Sequence, residues 1–343
     1  MVKRKFLNIN KNKETVNDET YEPKTKIIKL NLPPINNLEE LIKIAETKNH
    51  YNNINMILLW KILPYLKELN NMIGMKNVKE SIFYQIIYYL QGMNIQNKDG
   101  DYLHTIITGS PGSGKTSVAK ILGKIYQHLE ILQNSNGIFK IAHREDLVGE
   151  YLGSTAVKTK RLLTSCIGGC IFIDEIYSLS SDRKDKDSFS KEAVDTLTSF
   201  LSEHKNDFVC IAAGYTDAID KYFFPLNEGL RRRFQWRHDI QDYSMKELVD
   251  IFIKKINEIN WNLIITKEEL NSIFDKNKDI IKDAGGFCEN LISKAKLTHS
   301  QKMLGKDVSL KFKLTKEDIE KAIELIKKYS KKEPEKIIYN YYT

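Results

Sequence analysis

The chain has 343 residues, 41% of them hydrophobic and 29% charged, which suits one or two core-forming domains with tails. Its net charge is +8, but lysine, asparagine and isoleucine are abundant throughout and no basic stripe is interleaved with aromatics, so a nucleic-acid partner is only weakly supported. No apolar run reaches the roughly 20 residues of a membrane span, and no apolar segment follows the basic start at Met1 to Phe6, so no membrane contact, no signal peptide and an intracellular, cytoplasmic location are expected.

Residues 1–35 are polar and basic, punctuated by Pro23, Pro33 and Pro34, and read as a disordered tail. Residues 36–70 read as a helical extension. Leu38, Leu41, Ile42 and Ala45 recur at helical spacing, and a second helical stretch at 54–69 carries Pro64 as a kink or break. Residues 71–241 open on a buried helix at 78–90 and then alternate strand-like and helix-like segments. The strands are expected at 102–108, 137–142, 170–173 and 208–213, and the helices at 117–132, 155–166 and 191–202. Apolar strands alternating with helices imply an α/β fold, a parallel sheet flanked by helices on both faces.

From 242 to 330 the pattern is helical only, with candidates at 244–259, 267–281 and 287–303 and a last helix capped by Thr315. That is a smaller, all-helical lid domain. Residues 331–343 form a charged, then tyrosine-rich C-terminal tail. Cys166, Cys170, Cys210 and Cys288 form no C-x-x-C pair and read as buried, reduced thiols.

Gly109-Ser110-Pro111-Gly112-Ser113-Gly114-Lys115-Thr116 fits G-x-x-x-x-G-K-[ST], with Ser117 following. Its fixed positions recur by accident in roughly one chain of this length in a hundred, and here an apolar strand precedes them and a helix follows. Glycines let backbone amides curl around phosphate oxygens, Lys115 brings a cation to the β- and γ-phosphates, and the Thr116 hydroxyl can ligate Mg²⁺. Downstream, Cys170-Ile171-Phe172-Ile173 is an apolar strand ending in Asp174 and Glu175. Asp174 suits the metal's ligand shell, and Glu175 suits the base that activates the attacking water. Adjacent acids at a strand end are expected to point to opposite sides. ATP and Mg²⁺ are the cofactors these residues call for.

Several stretches around these motifs resemble AAA+ ATPases, and within them the CbbX/CfxQ and SpoVK-like family. They are Leu66-Lys67-Glu68-Leu69 with Ile73-Gly74-Met75-Lys76-Asn77-Val78-Lys79, Asp146 to Thr155 (Asp-Leu-Val-Gly-Glu-Tyr-Leu-Gly-Ser-Thr), Phe172 to Leu179, Ala213-Gly214-Tyr215, and Gly229-Leu230-Arg231-Arg232-Arg233-Phe234. The resemblance spans about residues 65–325. It implies a homo-hexamer with ATP at subunit interfaces, remodelling a client protein that the sequence does not name. It implies Ile73 and Gly74 and the lid start near Tyr243 and Ser244 on either side of the adenine, Tyr215 as a sensor, and Tyr151 in an aromatic loop lining a central pore. An arginine before Phe234, Arg233 first and Arg231 second, would reach the neighbour's γ-phosphate. The second-sensor arginine of such lids has no counterpart here; Glu289 stands near its place and Lys294 is the nearest cation. Residues 180–188 read equally as a pore-side loop or as solvated surface. Two other functions stay open on sequence: a nucleic-acid-linked loader or packaging ATPase, and a nucleotide-gated scaffold with slow turnover.

Overall fold

The computed structural model describes residues 29–96, 101–132, 135–151, 153–180, 188–281, 283–305 and 307–330. Both terminal tails, apart from 29–35, and most of the 180–188 segment lie outside these residues. Residues 29–35, assigned above to the tail, belong to the fold: β1 (Lys29–Leu30) pairs in parallel with β2 (His50–Tyr51), and Leu32 and Ile35 pack on the first core. Between the two strands lies α1 (Leu38–Glu46), started by Asn37, whose side chain accepts from the Glu40 amide.

Helix α2 (Met56–Asn70) runs through Pro64. A mid-helix proline costs about 3 kcal/mol. Leu59, Ile62, Leu66 and Leu69 are buried along one face, and at roughly 2 kcal/mol each their burial outweighs that cost. Helix α3 (Lys76–Leu90) follows and packs against α2.

The α/β unit then runs β3 (Thr105–Gly109), α4 (Lys115–His128), β4 (Phe139–Ala142), α5 (Arg144–Leu147), α6 (Ser154–Thr164), β5 (Cys170–Ile173), α7 (Ser188–Glu203), β6 (Val209–Gly214), α8 (Thr216–Ala218), α9 (Leu230–Arg233) and β7 (Trp236–Ile240). Five strands form one parallel sheet in the order β4-β5-β6-β3-β7. Alternate residues serve opposite layers. Ile107, Phe172 and Ile211 face the core under α1 to α4, whereas Ile106, Ile171 and Ala212 face the core under α6 and α7. Strand β7 escaped the sequence reading because Trp236-Arg237-His238-Asp239-Ile240 lacks an apolar run, as an edge strand can.

The lid comprises α10 (Met245–Glu258), β8 (Asn262–Ile264), α11 (Lys267–Lys276), α12 (Ala284–Lys302), β9 (Lys313–Thr315) and α13 (Lys316–Ser330) around its own core. It is helical apart from the parallel pair β8 and β9. Helix α11 ends earlier than its periodicity suggests. Helix α12 begins earlier, because Asp283 caps it by accepting from the Gly286 amide. Among the described residues all four cysteines are buried and unpaired, and no helix is long and apolar enough to cross a membrane.

Candidate active site

The glycine-rich loop joins β3, which lies inside the sheet between β6 and β7, to the first turn of α4. Gly112 has φ +65°, and a Cβ there would lie 2.8 Å from the Gly285 nitrogen and 3.0 Å from the Gly286 nitrogen and would overlap the Asp283 carboxylate. Both its conformation and the close approach of α12 therefore demand glycine. Among the described residues the buried Ser113 hydroxyl has no hydrogen-bond partner. Lys115 opens α4 and turns its Nζ back into the loop, donating to the carbonyls of Gly109 (3.0 Å) and Ser110 (2.9 Å). Burial holds its ammonium below the usual lysine value, against the pull of Asp174, Glu175 and Asp283.

Beyond β5 the chain leaves the strand geometry at once. Glu175 has φ +47°, and its amide donates to Asp174 Oδ1 at 2.9 Å. A left-handed glutamate is strained by about 1–3 kcal/mol. Both acids line the same cleft instead of pointing to opposite sides, because β5 ends at Ile173 and they sit in the turn.

That cleft has a volume of about 650 Å³, within the range of small-molecule sites. Residues 111–117, Asp174, Glu175 and Tyr215 line it, with Ile73 and Met72 on the side nearest α10. Gly74 stands just behind, where a Cβ would meet Glu247 and Tyr243. Thr116 and Asp174 give the cleft a hydroxyl and a carboxylate. These hard oxygen donors suit Mg²⁺, which would offset phosphate charge if held there. The buried, unpartnered Ser113 hydroxyl and the ammonium of Lys115 are the complement of a polyphosphate.

Residues 105–241 match the ATPase family associated with various cellular activities (AAA). The chain is 38% identical over 282 residues to a putative cfxQ-like protein of Acanthamoeba polyphaga mimivirus, covering 80% of this chain and 68% of that one. It is 36% identical over 257 residues to stage V sporulation protein K of Bacillus subtilis, covering 71% and 77%. The chain belongs to the CfxQ/SpoVK-like AAA ATPases. It is an ATP hydrolase. The solved FIGL-1 AAA domain in complex with ADP shares the fold, with a TM-score of 0.55 and 16% identity over 87% of this chain and 92% of that one.

The cleft of this ATPase also draws on groups from the lid and from the end of β6. Tyr243, at the entrance to the lid, donates from its hydroxyl to the Ser113 carbonyl at 2.8 Å. Lys255 of α10 pairs with Glu289 of α12 at 2.6 Å, and both line the cleft. Lys294, the cation nearest in sequence to the missing arginine, instead lies over the Tyr329 ring at 5.4 Å. Tyr215 is 39% exposed and carries the Lys115 ammonium 5.5 Å from its ring centroid. Lys255 reaches the cleft only because the lid folds over the loop, and no local motif announces it.

Three candidates lie away from the cleft. Tyr151 is 75% exposed in the turn before α6, where Ser154 Oγ accepts from its amide and donates to its carbonyl. Its neighbour Leu152 is outside the described residues. Arg233 donates from Nε to Ser202 Oγ at 2.6 Å and from Nη1 to the Gly229 carbonyl at 2.8 Å, which fixes it inside its own subunit. Arg231 is exposed, 3.2 Å from Asp220 and 4.4 Å from the Phe224 ring centroid.

Proposed function

We propose that this ATPase assembles as a homo-hexameric ring and uses ATP hydrolysis to pull on a client protein through a pore lined by Tyr151. The observation that carries the reading is the exposure of Tyr151: a large aromatic, 75% exposed, on a loop pinned by Ser154. An aromatic ring can grip an extended polypeptide by packing, without reading its sequence. Hydrolysis itself follows from the cleft. Water oxygen bonds the γ-phosphorus while the bridging O–P bond breaks. ADP leaves with that electron pair, and the water proton passes to Glu175.

Assembly is supported by what the cleft lacks. Among the described residues no arginine lines it, although a guanidinium is well suited to the charge that spreads over a transferring phosphoryl group. The α9 arginines lie elsewhere, so a neighbour is the natural donor. Arg231 fits that role better than Arg233, since its tie is to a half-exposed carboxylate and not to the fold's interior. The test is a pull-down with Glu175→Gln in ATP and Mg²⁺, alone and combined with Tyr151→Ala. A captured protein that is lost on removing Tyr151 supports threading. Capture unaffected by Tyr151→Ala, or stimulation of hydrolysis by DNA or RNA with steep salt dependence, overturns it.

A further inference from the structure

Glu175 is exposed, and nothing in the strand it follows fixes its side chain. The short helical segment Ile176–Leu179, in contrast, is tightly held. Ile176 is 0% and Leu179 1% exposed, the Ser178 amide donates to the Glu175 carbonyl at 2.7 Å, and Arg144 Nε donates to the Ser178 carbonyl at 2.9 Å. Tyr177 projects from this anchored segment into the cleft. Its ring rests on the backbone of Gly214 at the end of β6, where a Cβ would fall 2.7 Å from Cδ1 and 2.9 Å from Cε1. The Tyr215 ring lies 5.6 Å from that of Tyr177, and the Lys115 ammonium lies 5.5 Å from the Tyr215 ring centroid. Glu175, Tyr177, Tyr215 and Lys115 thus all line one cleft.

We infer that Tyr177 is the positioning residue for Glu175: its hydroxyl, placed by the ring's seat on Gly214, donates to the carboxylate and holds it toward the attacking water. Burial foremost, and then the Glu175 charge, push the Tyr177 phenol up to about 12, so its proton stays in place at neutral pH. A mobile carboxylate loses much of the benefit of intramolecular proton transfer, because catalysis needs the base within hydrogen-bond reach of the water in a defined orientation. The inference rests on the reading of Glu175 as the base.

The test is phosphate release from ATP and Mg²⁺ by the full chain, measured for Tyr177→Phe, Glu175→Gln and the double variant, with ADP affinity measured alongside. Tyr177→Phe keeps the ring on Gly214 and removes only the hydroxyl. Its kcat is expected to fall about tenfold or more with KM for ATP changed less than about twofold, and to have no further effect in the Glu175→Gln background. Gly214→Ala, which displaces the ring and leaves the hydroxyl, should reproduce the kcat-selective loss. An unchanged kcat in Tyr177→Phe, or the same fractional loss with and without the Glu175 carboxylate, overturns the inference while leaving the base intact. A Glu175→Gln enzyme that turns over at the wild-type rate removes both.

Discussion

The Tyr243 hydroxyl donates to the Ser113 carbonyl at 2.8 Å, joining the first residue before the lid's N-cap to the middle of the phosphate-binding loop. Tyr243 also packs against both the α/β core and the lid core. Burial raises its phenol to about 12, so the donor survives across the neutral range. Tyr243→Phe keeps the packing and removes one hydrogen bond, worth about 1 kcal/mol. ATP affinity is expected to weaken by up to about tenfold in an equilibrium titration, and unchanged affinity would show that the bond does not couple lid to loop.

The α9 arginines should separate by their partners. Arg233→Ala removes the guanidinium's bonds to Ser202 Oγ and the Gly229 carbonyl and is expected to lower stability by about 1–3 kcal/mol in a denaturant titration. Arg231→Ala breaks an exposed pair, and Asp220 keeps its two bonds from Arg237, so stability should hold within about 0.5 kcal/mol. ATP turnover in the assembled protein should fall in Arg231→Ala. Full turnover in Arg231→Ala beside a stable, inactive Arg233→Ala would reverse the assignment.

Two buried histidines make stability depend on pH. His104 donates or accepts only within the fold, at the Leu201 carbonyl and the Cys210 amide, and His238 meets Ser81. Burial drops each imidazole to about 4. An unfolded chain protonates them near 6.5, so between about 6.5 and 4 the unfolded state takes up protons that the folded state cannot. Their effect is absent above that window, and stability falls as the pH drops through it, by roughly 3 kcal/mol per histidine at the low end. Carboxylates held low by partners, such as Asp220 beside Arg237, lose their contribution only below the usual carboxylate range. The thermal midpoint is expected to decline from pH 6.5 to 4.5, and to decline less in His238→Leu. A flat midpoint over that interval would contradict the account.

The parts of the site written as contiguous motifs were legible in the sequence. Residues 109–116 must supply glycines, a lysine and a hydroxyl within one turn, and Asp174 and Glu175 must end a strand, so chemistry fixes their spacing. Strand alternation does not govern the two acids, because the strand stops at Ile173, before both of them. Asp283 and Lys255 were not legible as cleft residues, since the lid brings them there from over 80 residues beyond Asp174. Strand β7 was hidden by its edge position, where one flank needs no apolar side chains. The run of Tyr177 beside Glu175 was visible as letters, but its seat on Gly214 required the pairing of β5 with β6.

The most direct test is phosphate release from ATP by the wild type and by Glu175→Gln, with ATP affinity measured on the same preparations. The geometry predicts that Glu175→Gln binds ATP as tightly as the wild type and releases phosphate at least about a hundredfold more slowly. Equal rates of release in the two proteins would contradict it.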